Sequence, residues 1–155
     1  MKETRLAAVA IERIFVKHLE FDSPDTPQVF DLNWTPKLRF DINAGQKQLE
    51  EERYEVWLRL KVEAEVKKCT AFKLLLVQAG YFRIRGLEGE KLGRALMVTC
   101  PDILFPYARE AAHSAVQKAS FPSLTLAPID FDAIYRRVIS QQKAQAARDD
   151  AEIVN

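Results

Sequence analysis

The sequence predicts an α+β fold in which strands come first and helices after, and three observations carry that prediction. Residues 54 to 66, YEVWLRLKVEAEV, place Tyr54, Val56, Leu58, Leu60, Val62, Ala64 and Val66 on one parity, with charged residues and Trp57 between them. A period of two marks a strand with one buried face. Residues 70 to 84 are apolar on both parities around Leu74 to Val77, as in a strand covered on both sides. After Gly86 the pattern becomes helical, through LEGEKLGRALM and then PDILFPYAREAAHSAVQKA. Strands followed by helices, without alternation, is the α+β order.

In chain order, the first strand covers residues 10 to 22, AIERIFVKHLEFD. Ile11, Phe15, Leu19 and Phe21 share one parity while Ile14 and Val16 fall on the other, so either both faces are partly covered or a bulge flips the parity. The second is LRFDI, where Leu38, Phe40 and Ile42 alternate with Arg39 and Asp41. The third, 54 to 66, would run roughly 43 Å at about 3.3 Å per residue, a long strand for a chain this small. Beyond the fourth, Pro101 and Pro106 suit the entry or first turn of a helix, where a missing N–H leaves no bond unmade, and Asp102 suits the N-terminal dipole. The helix then presents Ala108, Ala111, Ala112, Ala115 and Ala119 at three- and four-residue spacing. Such small side chains let a helix lie close on the sheet or leave a trough beside it. FPSLTLAP reads as an extended connection, after which Asp130 caps a final helix with a stripe of Phe131, Ile134, Tyr135 and Val138. From Lys143 the chain turns polar, a frayed helix end or a disordered tail. The expected organisation is one domain over 1–142 and a polar tail over 143–155.

With 155 residues and 48% hydrophobic composition there is enough for one domain with a core. A formal net charge of +1, with acids and bases interspersed, gives no basic stripe for nucleic acid. No apolar run reaches the roughly 18 residues of a membrane span. The opening MKETRLAAVAIERIF breaks a short Ala/Val run with Glu12 and Arg13, unlike a signal peptide. Cys69 and Cys100 are too few for a disulfide framework and lack zinc-site spacing. The expectation is a cytoplasmic protein without metal, cofactor or membrane insertion.

Catalytic signals are absent. His18 and His113 are the only histidines, and no serine or cysteine stands in a nucleophile context. GLEGEKLG lacks the Gly-Lys-Ser/Thr ending of a phosphate loop and reads as a strand-to-helix turn. Asn33-Trp34-Thr35 is a formal glycosylation sequon, without meaning where no secretory signal accompanies it.

Taken together, YEVWLRL (54–60), QAGYFRIRGLEG (78–89), CPDILFPYARE (100–110) and FPSLTLAPIDFDAIY (121–135) resemble the SecB family of bacterial protein-export chaperones. The resemblance covers roughly residues 11 to 142 in the family's order. It implies a four-stranded antiparallel sheet with helices packed on one side, assembled as a dimer of dimers. It also implies an activity: ATP-independent holding of unfolded preproteins in hydrophobic grooves for post-translational export through the Sec pathway, with delivery to the SecA motor ATPase. Long exposed sheet edges, a hazard in a monomer, would then become a platform in a homotetramer. By position, Leu38, Phe40 and Ile42 fall on the strand the family uses for clients. Phe15, Trp34, Phe72, Tyr81, Phe131 and Tyr135 stand where the family too tends to be apolar or aromatic, and each also has a plain core reading.

The family is usually acidic on the open face of its sheet, where carboxylates dock the motor. Here the corresponding positions hold His18, Asp22 and Leu75, with Lys73 beside them, so motor docking is expected to be weakened. Two alternatives stand beside the export chaperone: a dedicated SecB-like chaperone of a toxin–antitoxin system holding one antitoxin, and, from another class, an enzyme using Cys100 or His113.

Overall fold

The computed structural model describes residues 8–154; residues 1–7, which the expected domain includes, and Asn155 lie outside the described residues. Four strands, β1 (Ala8–Asp22), β2 (Lys37–Glu50), β3 (Arg53–Val66) and β4 (Cys69–Arg85), form one antiparallel sheet in the order β1-β4-β3-β2. Tight turns at 51–52 and 67–68 join β2 to β3 and β3 to β4, with Glu52 and Lys67 in left-handed backbone. Such short hairpins need positive φ to match the strands' twist. β2 is far longer than LRFDI, because its polar half keeps register with β3 as far as Gln48 opposite Tyr54 and, past an irregularity, pairs Glu50 with Arg53.

Register assigns the faces. Rows Phe40–Val62–Leu74–Phe21 and Ile42–Leu60–Leu76–Leu19 cross the sheet on the side that the helices cover. Two bulges in β1, between Ile11 and Arg13 and between Val16 and His18, each flip its parity. Val9, Ile11, Ile14, Val16, Leu19 and Phe21 therefore share the helix side, and Phe15 is the one large apolar side chain of β1 on the open face among the described residues. Of the two readings the sequence allowed for this strand, the bulge is the one realised.

The helical run starts at Gly89 and is continuous: α1 (Gly89–Arg94), a π turn (Ala95–Thr99) and α2 (Cys100–Lys118). Pro101 and Pro106 thus lie inside the run, not at its entry. Pro101 has no N–H to offer the carbonyl four residues back, and the backbone widens into the π turn just before it. Both expectations for the alanines hold, on adjoining stripes. Ala108 and Ala112 are fully buried against the sheet with Leu104, while Ala111, Ala115 and Ala119 line an open trough of about 480 Å³ beside Leu19 and Phe21 of β1.

α2 stops where Ser120 turns left-handed. Phe121 N–H donates to the Val116 carbonyl and Ser120 N–H to that of Gln117, the paired bonds of a helix C-terminal reversal. The reversal folds Phe121 back onto Phe72, ring centres 5.3 Å apart. An extended stretch burying Leu124 and Leu126 leads to α3 (Phe131–Val154), capped as expected by Asp130, whose Oδ1 accepts from Ala133 N–H at 3.0 Å. α3 runs on past Lys143 without interruption, so the polar stretch is helix rather than disordered tail.

Candidate functional site

α2 packs over β3 and β4. Both edge strands keep apolar residues uncovered on the helix side: Ile11, Val16 and Leu19 on β1, Leu38 and Phe40 on β2. Leu38 is 49% exposed and Phe40 43%, while Ile42 is half-buried. These three alternate along an edge that no strand pairs among the described residues, so the strip is open from above and from the side.

One end of this strip is aromatic. Leu38 shares a register row with Ala64 and Phe72, and Phe72 packs on Phe21 and Phe121. Phe121 in turn meets Phe30 at 5.2 Å and Trp34 at 5.5 Å. Phe30 projects from a single 3₁₀ turn, Gln28–Asp31, anchored by buried Val29, and is 48% exposed. Sequence reasoning missed Phe30 and Phe121. The only signal for them was a Val29-Phe30 pair in a proline-bounded loop and a phenylalanine directly after a helix end.

The nine residues expected in the groove fall into three places. Leu38, Phe40, Ile42 and Trp34 share the helix side at the β2 edge. Phe72, Phe131 and Tyr135 are buried, at 1%, 4% and 5% exposure, and take the core reading instead. Phe131 lies edge-on to Phe105, and the Tyr135 hydroxyl donates to the Glu90 carbonyl at 3.4 Å. Phe15 and Tyr81 lie on the opposite face of the sheet, in edge contact at 5.1 Å, because the first bulge of β1 turns Phe15 there and Tyr81 has the odd parity of β4. They cannot line a groove on the helix side.

All four residues expected on the docking face lie on the open face. Its far rows alternate in sign, Asp22–Lys73–Glu63–Arg39 and then Glu20–Leu75–Lys61–Asp41, with His18 next along β1, its Nε2 3.0 Å from Glu20. At the other end Glu12, the bulged residue, bridges Arg83 and Arg53, each at 2.9 Å. The Arg83 hydrogen bond, helped by that of Arg53, outweighs desolvation and holds the Glu12 carboxyl below its usual value. Neither a row of carboxylates nor a uniform basic patch covers this face.

Cys100 is fully buried and its thiol is pushed up to about 12 by that burial, so no thiolate forms there near neutral pH. His113 is half-buried on α2. Among the described residues no cluster of histidine, cysteine and carboxylate could hold a metal ion, and no helix is long and apolar enough to cross a membrane.

The profile of the family described as "Preprotein translocase subunit SecB" matches residues 2–142. The protein-export protein SecB of Marinobacter nauticus is 45% identical over 138 residues, spanning 89% of this chain and 84% of that protein. That of Hahella chejuensis is 43% identical, over 89% and 87% respectively. Among solved structures, the Mycobacterium tuberculosis SecB-like chaperone Rv1957, in complex with a peptide from the HigA1 antitoxin, superposes with a TM-score of 0.64 at 15% identity, covering 78% of this chain and 90% of that one.

Proposed function

This chain belongs to the SecB family of protein-export chaperones, and from that membership we propose that it holds unfolded preproteins along the β2 edge without ATP. The observation that carries this assignment of the groove is the uncovered strip of Leu38, Phe40 and Ile42, ending in the Trp34–Phe30–Phe121 cluster. Holding a client needs no catalytic group. Burying one apolar client side chain contributes about 1.5–3 kcal/mol, while ordering a disordered segment costs about 2–5 kcal/mol or more. Several shallow anchors along one strip exceed that cost where a single pocket would not. A folded client has already hidden its side chains and offers nothing to hold.

The same proposal includes a homotetramer in the cytoplasm that hands clients to a SecA motor through the open face, with docking weakened by His18, Lys73 and Leu75. The dedicated antitoxin chaperone rests on a likeness of fold alone, since the neighbour that holds an antitoxin peptide is only 15% identical. Export is favoured by relatives three times as similar in sequence.

The test is suppression of aggregation of a chemically unfolded protein, in the absence of nucleotide. Phe40→Asp should weaken it several-fold while leaving circular dichroism and particle mass unchanged. Arg39 and Asp41 flank Phe40 on the opposite face, so the substitution touches the apolar strip only. If Phe40→Asp unfolds the protein, Phe40 is core and the groove lies elsewhere.

A further inference from the structure

We propose that Gln78 and Glu55 are positioning residues of β1: gripping the strand from opposite faces of the sheet, they fix its second bulge at Lys17 and so put His18, rather than Lys17, opposite Val77. They are the only buried polar side chains among the described residues, at 3% and 7% exposure, and both reach the same short piece of β1. From the helix side Gln78 Nε2 donates to the Phe15 carbonyl at 3.1 Å, and from the open face Glu55 takes the Lys17 ammonium, which stands 5.9 Å from the Trp57 ring centre. The first bulge is held in the same manner, Glu12 by Arg83 of β4 and Arg53 of β3. Gln78 is a poor choice for packing alone. Its amide oxygen is buried without a partner, in a row that otherwise holds Val16, Leu58 and Ala44. A buried amide with half of its bonds unmade is less favourable than an apolar side chain of the same size, so the role of this residue lies in what Nε2 holds. A carbonyl in an unbroken ladder lies in the plane of the sheet; one bonded by a side chain standing on a face has been tilted out of it, as at a bulge.

Hydrophobic patterning does not fix the place of this bulge. Ile14 and Val16 before it and Leu19 and Phe21 after it need one extra residue between Val16 and Leu19, and either Lys17 or His18 can be that residue with every apolar side chain kept on the helix side. With the bulge at Lys17, His18 lies opposite Val77; with the bulge at His18, Lys17 would take that place, next to the Glu20–Leu75 row. An ammonium would then stand within the face that the reading above gives to motor docking, and the value of the clamp to docking rests on that reading. The clamp keeps Lys17 on Glu55 instead.

The test is disulfide cross-linking in the full chain carrying Cys69→Ser, so that the fully buried Cys100 is the one native thiol left. His18→Cys with Val77→Cys reports the bulge at Lys17, and Lys17→Cys with Val77→Cys reports it at His18. Leu19→Cys with Leu76→Cys, opposite one another in either case, reports the rest of the ladder. Gln78→Met should raise the oxidation rate of the Lys17–Val77 pair about two- to tenfold, the population change that one net hydrogen bond supports, with the Leu19–Leu76 rate unchanged. Glu55→Gln should lower the His18–Val77 rate against that of Leu19–Leu76 and leave the Lys17–Val77 rate alone, since the partner of Glu55 is already gone from that protein. If Gln78→Met slows all three pairs alike, or leaves the Lys17–Val77 rate as it was, Gln78 is an ordinary core residue and the proposal falls. Where Gln78→Met does not fold, Glu55→Gln decides, and an unchanged His18–Val77 rate overturns the proposal. These rates are read without client or motor, so they stand or fall apart from the function proposed above.

Discussion

Glu12 shows how much a single residue of this fold depends on partners that its own neighbourhood in sequence does not contain. In the sequence it is one charge among alternating charges; in the sheet it is the bulged residue of β1, bound to Arg83 and Arg53 on two other strands. Its carboxyl is held below the usual value, first by the Arg83 hydrogen bond. A carboxyl whose pKa is lower folded than unfolded adds stability that is present above the unfolded value and lost as pH falls through the folded one. The NMR titration midpoint of Glu12 should therefore lie below the ordinary 4.5, and Arg83→Gln should move it upward. An ordinary midpoint in the parent would mean that the bridge does not form in solution. Cys100 gives the opposite lesson: a residue that reads as a candidate nucleophile by type alone is disqualified by its surroundings, which no local pattern shows.

Among the elements, those with one consistent environment were legible and those with mixed environments were not. β3 was plain from its alternation because a helix layer lies on one of its faces and solvent on the other. Half of β2 was invisible because NAGQKQLE is exposed at every position but Gly45 and carries no apolar alternation, and its strand character comes from pairing with β3. The parity of β1 is ambiguous in the sequence because its two bulges leave no local mark, and the position in the family pattern that puts Phe15 in the groove does not show the face it takes. α2 keeps both of its alanine roles, and they can be separated. Ala112 is fully buried against the sheet, so Ala112→Leu should overpack and lower stability by about 1–3 kcal/mol in denaturant unfolding. Ala115 lines the trough, so Ala115→Leu should leave the fold of the subunit intact and instead reduce particle mass in light scattering, if a second copy covers that trough. Equal destabilisation by both would mean that the trough closes up in solution.

At the scale of the molecule, Ile11, Val16 and Leu19 of β1 and the adjoining trough lie uncovered on the lone subunit, and the assembly expected to cover them is a homotetramer of about four times the 17.8 kDa chain mass by light scattering. A monodisperse monomer would sink the tetramer and the extended platform together. The open face decides what such an assembly can meet. Its far rows alternate in sign, and the positions expected to carry motor-docking carboxylates hold His18 and Leu75 beside Lys73. Exposed ion pairs typically net about 0.2–1 kcal/mol each, so the loss of two carboxylates and the gain of one ammonium should together cost on the order of 1–3 kcal/mol, roughly 5- to 150-fold in the dissociation constant for a motor with a basic docking surface. Because fewer attractive pairs are left to screen, raising salt should weaken this complex less than that of an acidic relative. The triple change His18→Asp, Lys73→Leu, Leu75→Glu should tighten the complex in calorimetry at low salt. If it does not, and the parent already binds well, the motor docks on a surface other than the open face.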